Sequence, residues 1–135
     1  MTTTTRTELL PVRQESDIVM VRQAVRAWSL EARLSLVDLT KMVTAASELA
    51  RNTLSYGGGG TARLELLQDG GRAGLRVTFE DQGPGIPDIE RAMQDGYTSG
   101  SGLGLGLGGA KRLVNEFDIR SVPGKGTTVT IARWR

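Results

Sequence analysis

The sequence contains no cysteine and no histidine among its 135 residues. Without cysteine the chain can form neither disulfides nor thiolate metal sites. Without histidine it has no imidazole base, no serine–histidine catalytic pair, no histidine to phosphorylate and no zinc site of the usual kind. Any general base must therefore be a carboxylate, a lysine or a tyrosine.

Long apolar runs and a strong charge imbalance are also missing. No apolar stretch approaches the ~20 residues of a membrane-spanning helix, and residues 1–6 lack the apolar core of a signal peptide. The formal net charge is only +2, and the arginines are spread along the chain instead of forming a patch for nucleic acid. We therefore expect a cytoplasmic protein with no membrane or nucleic-acid partner. The length predicts a single domain over 1–135, with residues 1–5 disordered.

Hydrophobic periodicity predicts an α+β fold. Helical spacing indicates a helix capped by Asp17, a second over about 34–54, a short one over 88–94 and a glycine-led amphipathic one over 104–117. Alternation predicts strands over 6–13, 61–68, 74–80, 119–122 and 127–134, of which the second and third form a hairpin. The simplest packing is a two-layer sandwich, with helices on one face of a mixed, mostly antiparallel sheet.

Two glycine-rich segments follow the second predicted helix. Asp81-Gln82-Gly83-Pro84-Gly85 comes directly after a strand, so its carboxylate is held on a rigid element and can accept a hydrogen bond from an exocyclic amine. The run over 100–109 leads into a helix, where free backbone N–H groups suit a phosphate chain. The ordinary alternatives are a turn for the first segment and a flexible linker for the second.

The run over 100–109 contains a G-x-G-x-x-G match, but two familiar nucleotide motifs do not fit it. A loop precedes it where the Rossmann fingerprint needs a strand, and Lys111 lies between Ala110 and Arg112, which is not a Walker A pattern.

The second predicted helix carries two polar residues on one face. Glu48 and Asn52 are four residues apart, on the side opposite the apolar stripe. A carboxylate and an amide oxygen at this spacing suit a magnesium ion that keeps several waters and bridges phosphates. The alternative is a solvated helix face.

Taken in order, these signals resemble the motifs of the GHKL ATPases, the superfamily of gyrase, Hsp90, histidine kinases and MutL. The matching segments are Glu48-x-x-x-Asn52 for the N box, Asp81-x-Gly83-x-Gly85 and Gly102-Leu103-Gly104-Leu105-Gly106-Leu107 for the two glycine boxes, and Gly124-Lys125-Gly126-Thr127-Thr128 for a late strand entry. The short chain and the segments 46–54, 56–60 and 93–97 resemble the RsbT-type serine/threonine kinases of bacterial sigma-factor control.

The resemblance implies ATP and Mg²⁺ as cofactors and a role for each matching residue. Glu48 would orient or deprotonate the attacking hydroxyl, and Asn52 would coordinate Mg²⁺. The residues implied in nucleotide binding are Asp81 and Thr127 at the adenine, Gly83 and Gly85 lining the base pocket, and Gly102, Leu103, Gly104, Leu105 and Gly106 at the phosphates. The loop over 95–101 would be the ATP lid.

The sequence departs from the sigma-binding members of the family just before the second glycine box. Ser99 and Gly100 stand where those members often carry a basic residue. The sequence therefore does not identify which basic residue contacts the γ-phosphate. Lys111 and Arg112 are two candidates, and a solvated helix face is their alternative role.

The resemblance also implies partners. RsbT-type kinases phosphorylate STAS-domain proteins of the RsbS and RsbR kind and then activate a PP2C-type phosphatase of the RsbU kind; whether the chain forms a homodimer stays open. Two other functions compete with this one: an anti-sigma factor that binds a sigma factor directly and uses kinase activity for release, and a non-catalytic nucleotide-binding module. Pull-down against a sigma factor and against a STAS protein distinguishes the anti-sigma factor from the RsbT-type kinase. Label transfer from ATP to a STAS protein distinguishes the non-catalytic module from the kinase.

Overall fold

The structure, a computed structural model, describes residues 1–94 and 106–135. Five strands and four helices lie in this part of the chain. In order they are β1 (Thr3–Val12), α1 (Glu15–Glu31), α2 (Leu36–Ser55), β2 (Gly60–Asp69), β3 (Arg72–Asp81), α3 (Ile89–Ala92), α4 (Gly106–Arg112), β4 (Glu116–Val122) and β5 (Gly126–Trp134).

The five strands form one sheet in the order β1-β2-β3-β5-β4. Each neighbouring pair of strands in the described chain is antiparallel. The prediction of a mixed sheet was therefore wrong, and its mostly antiparallel character is confirmed. The predicted hairpin is β2–β3, which turns at Gly70 and Gly71. Short turns join β2 to β3 and β4 to β5. Along the chain, helices α1 and α2 lie between β1 and β2, and α3, α4 and β4 lie between β3 and β5.

The core lies between the helices and one face of the sheet. Leu75, Val77 and Phe79 alternate along β3 and are all buried. They belong to the same hydrophobic cluster as Trp28 of α1 and Met42 of α2. Alternating strand residues face one side, so the helices cover one face, and the predicted α+β two-layer sandwich is confirmed.

The N-terminal region differs from the prediction at two points. Residues 3–5 belong to β1 and are not disordered, because the β-branched threonines pair with β2 and the Thr4 hydroxyl donates to Glu65 Oε2 at 3.3 Å. Helix α1 is capped by Gln14, not Asp17. Asp17 lies in the first turn, where its carboxylate accepts the backbone N–H groups of Arg13 and Gln14 at 2.9 and 3.2 Å.

The last helix is shorter than predicted. Helix α4 ends at Arg112, and Phe117 lies in β4 instead of on the helix. Asn115 pairs with β5, and this pairing ends the helix. Its N–H donates to Ala132 O at 2.9 Å, and its Oδ1 accepts from Trp134 N at 2.7 Å. From there Phe117 and Ile119 alternate with exposed residues, which is strand and not helix periodicity.

Candidate active site

A row of residues crosses the strand ends at one edge of the fold. In the sheet register Asp81 of β3 is opposite Gly60 of β2 and Thr127 of β5, and Thr127 is opposite Ser121 of β4. Asp81 continues the alternation of the buried β3 residues, so the row faces the helical layer. The sheet therefore places Asp81 and Thr127, two predicted site residues, side by side.

The Asp81 carboxylate is held by the loop that follows it and touches the end of α2. Its Oδ1 accepts the Gly83 N–H at 2.9 Å. A Cβ added to Gly57 would lie 2.6 Å from Asp81 Oδ2, and one added to Gly83 would lie 2.7 Å from Gly57 Cα. Real Cβ atoms essentially never come within 3.0 Å of such neighbours. Gly57 and Gly83 therefore allow a backbone approach that any side chain would block.

The first glycine segment is fastened to the β4–β5 turn. The Gly124 N–H donates to Pro84 O at 2.7 Å. Gly85 has a φ of 78°, and a Cβ there would lie 2.5 Å from Val122 O. The left-handed conformation and the crowding both require glycine at position 85. The loop after Asp81 is thus a fixed element and not a free turn.

Ser121 joins these two segments through its hydroxyl. Its Oγ accepts the Ile86 N–H at 2.6 Å, and lies 2.8 Å from Thr127 Oγ1 and 3.1 Å from Gly126 O. The side chain is half-buried. Thr127 is thereby held by a neighbour on β4 as well as by its own strand.

Glu48 and Asn52 lie one turn apart on α2, and both are half-buried. Neither side chain makes a hydrogen bond or ion pair with another residue in 1–94 or 106–135. The Asn52 carbonyl accepts the N–H groups of Tyr56 and Gly57 at 2.9 and 3.2 Å. The end of α2 therefore leads directly from Asn52 to Gly57, which contacts Asp81.

The second glycine segment is described only from Gly106 onward. Gly102, Leu103, Gly104, Leu105 and the predicted lid over 95–101 lie outside the described residues. Gly106 opens α4 with a φ of 70°. A Cβ on Gly108 would meet the backbone of Met93, so α4 packs tightly on the end of α3.

The two candidate cations lie at the far end of α4 from Gly106. Lys111 is exposed and lines a groove of about 450 Å³ with Phe117, Asp118 and Ile119 of β4. Arg112 is exposed and has a partner of its own. At ~1.5 Å of rise per residue, five residues along the helix separate Lys111 from Gly106 by about 7.5 Å.

Sequence reasoning missed two residues of this site. Gly57 follows the end of α2, where a glycine run is sufficiently explained as a helix stop, and its contact with Asp81 joins segments distant in sequence. Ser121 could have been found by counting outward from the predicted turn over 123–126, since that hairpin sets Ser121 opposite Thr127.

The chain belongs to the family of histidine kinase-, DNA gyrase B- and HSP90-like ATPases. The family profile matches residues 37–135, which include α2, the Asp81 loop and the β4–β5 hairpin. The predicted GHKL resemblance is therefore confirmed, and with it a nucleotide-dependent class of enzyme that uses ATP.

Within this family the chain resembles one kinase strongly. It is 47% identical over 120 residues to the serine/threonine-protein kinase RsbT of Bacillus subtilis, covering 89% of this chain and 90% of that protein. It is 28% identical over 118 residues to an anti-sigma F factor of a Thermoanaerobacter species, covering 84% and 82% of the two chains. The predicted RsbT-type class of serine/threonine kinase is confirmed by the first comparison.

Solved structures confirm the fold alone. The RsbU and RsbW domains of a Mycobacterium tuberculosis protein match with a TM-score of 0.66 at 23% identity, over 97% of this chain and 33% of that one. This chain thus spans a third of that longer one. The SiaB–SiaC complex of Pseudomonas aeruginosa matches with a TM-score of 0.56 at 14% identity, over 98% and 91% of the two chains. In the described residues no helix is long and apolar enough to cross a membrane.

Proposed function

We propose that this kinase transfers the γ-phosphate of ATP to a serine or threonine of a STAS-domain protein, and that it then activates a PP2C-type phosphatase in a partner-switching pathway. The observation that carries the proposal is that these residues adjoin one another. Glu48 and Asn52 lie one turn apart on α2, the Asn52 carbonyl accepts the Gly57 N–H, and Gly57 contacts Asp81. The strong likeness to RsbT supports the choice of substrate class.

The adenine would lie against Asp81 and Thr127. The free acceptor positions of the Asp81 carboxylate suit the exocyclic amine, because Oδ1 already accepts from Gly83 and the group is fixed in place. Gly83 and Gly85 remain the proposed lining of the base pocket. The space of a side chain at these positions is taken by the backbone of Gly57 and of Val122, so the two glycines let these segments close around the site. Gly102, Leu103, Gly104, Leu105 and Gly106 remain the proposed phosphate contacts.

Phosphoryl transfer would take place beside Asn52 and Glu48. Asn52 offers an uncommitted, half-buried amide oxygen, which fits Mg²⁺ bound mainly by phosphates and water. The bound ion would neutralise charge on the phosphates. Glu48 would accept the proton of the attacking hydroxyl as the new oxygen–phosphorus bond forms and the bond to the β-phosphate oxygen breaks, releasing ADP.

Label transfer from γ-labelled ATP to a purified STAS-domain protein tests this function. We expect transfer by the wild type and loss of about 100-fold or more in Glu48→Gln, since general base catalysis contributes ~10²–10⁴-fold. Asn52→Ala should lose transfer as well. Glu8→Gln, an exposed change of the same kind on the edge strand β1, is the control. No transfer by the wild type, or full transfer by Glu48→Gln, would refute the proposal.

The likeness to anti-sigma F factors favours a second candidate, direct binding of a sigma factor. It is weaker, because the identity is 28% against 47% for RsbT. Pull-down of a sigma factor and of a STAS protein by the same tagged chain distinguishes the two. Capture of the STAS protein alone supports the first proposal, and capture of the sigma factor alone supports the second.

A further inference from the structure

The hydroxyl of Ser121 has a fixed set of partners. A serine hydroxyl carries one proton and two lone pairs. The Ile86 N–H can only donate, and it does so to Ser121 Oγ at 2.6 Å. The Gly126 carbonyl can only accept, and it lies 3.1 Å from the same oxygen. One lone pair of Ser121 and its single proton are therefore engaged by backbone groups.

This arrangement decides which way the Thr127 hydroxyl points. Thr127 Oγ1 lies 2.8 Å from Ser121 Oγ, and geometry alone lets either atom donate. All three contacts of Ser121 can be hydrogen bonds at once only if its proton goes to Gly126 and its remaining lone pair receives the proton of Thr127. The Thr127 hydroxyl then has only lone pairs left. Thr127 can therefore act only as a hydrogen-bond acceptor towards a ligand beside Asp81, its neighbour in the sheet.

We propose that Ser121 is a positioning residue that sets Thr127 as an acceptor and thereby makes the site select a base carrying an amine. Asp81 and Thr127 are opposite each other in the register, so the two acceptors together match the two hydrogens of one exocyclic amine. A base with a carbonyl or a bare hydrogen at that position gains nothing from Thr127. The inference rests on the proposed placement of adenine at Asp81.

The test compares ATP with purine riboside triphosphate, an analogue whose base lacks the amine. Ser121→Ala should weaken ATP binding by about 3- to 10-fold, the value of one net hydrogen bond, and leave the analogue within ~2-fold. Selectivity for ATP therefore falls. Thr130→Val is the matched control, because it removes a β5 hydroxyl that pairs with Thr78 on the opposite face of the sheet.

Loss of the Ile86 hydrogen bond could also loosen the loop, and the two nucleotides separate this effect from the proposal. A looser loop weakens both nucleotides equally, and that result would overturn the role of Ser121. In a Thr127→Val background, Ser121→Ala should change selectivity by less than ~2-fold, since its effect passes through Thr127. An undiminished change in that background would also contradict the inference. If the wild type binds no ATP, or Asp81→Asn binds it normally, the proposed function itself fails instead.

Discussion

Gly57→Ala should weaken ATP binding although residue 57 contributes no side chain of its own. The new Cβ would lie 2.6 Å from Asp81 Oδ2 and closer still to the carbon atoms of that side chain. Ordinary contact begins at 3.4 Å, so the carboxylate must move by about 1 Å. It cannot turn away freely, because its Oδ1 is bonded to the Gly83 N–H.

The size of the effect follows from the length of a hydrogen bond. Donor–acceptor distances extend over only ~0.5 Å, so a shift of about 1 Å removes the contact with the adenine amine. A hydrogen bond to a charged group contributes ~1.5–3 kcal/mol, which corresponds to a loss of about 10- to 100-fold in affinity. Titration calorimetry with ATP and Mg²⁺ measures this loss.

Gly71→Ala is the matched control for this substitution. Gly71 lies in the β2–β3 turn, and a Cβ there has nothing within 4 Å. Its affinity for ATP should equal that of the wild type. Thermal unfolding of both variants shows whether Gly57→Ala is still folded. A folded Gly57→Ala protein that binds ATP within ~2-fold of wild type would refute the reasoning about Asp81.

Two further predictions concern ion pairs that support the fold. Arg133→Met should lower the free energy of unfolding by about 2 kcal/mol in urea titrations, because the partly buried guanidinium joins Asp38 at 2.7 Å and Leu113 O at 2.9 Å. Arg120→Met, which breaks an exposed pair with Asp118, should change it by less than ~0.5 kcal/mol; equal losses would contradict the account. The hydrogen bond from Arg76 lowers the pKa of Glu65 below its ordinary value of 4.5, so the pair stabilises the fold above that pH. The stability difference between wild type and Glu65→Gln should therefore be constant from pH 7 to about 5 and shrink as the pH falls through the lowered pKa; a difference that grows on acidification would show the opposite sign.

The parts of the site that were predictable rest on local patterns. The helical stripe of α2 is enough to put Glu48 and Asn52 on one face. Alternation predicts a strand over 74–80 with Asp81 directly after it, and in the structure Asp81 is the last residue of β3. Turn residues after Val122 mark the β4–β5 hairpin. Each of these signals lies within a few residues of the feature it predicts.

The parts that were not predictable depend on contacts between distant segments. Leu113 and Phe117 are four residues apart and fit a helix, but pairing of Asn115 with β5 ends the helix before them. Gly57 has an adequate local explanation as a helix stop, and only the packing against Asp81 shows its second role. Local propensity is a weak guide where tertiary contacts compete with it.

The most direct measurement of the central claim is the affinity for ATP of Asp81→Asn and Glu48→Gln beside the wild type. The account assigns Asp81 to the base and Glu48 to the transfer step. It therefore predicts that Asp81→Asn loses about 10-fold or more in affinity, while Glu48→Gln binds ATP within ~3-fold of wild type. Normal binding by Asp81→Asn, or equal loss in both variants, would contradict the division of roles between the two carboxylates.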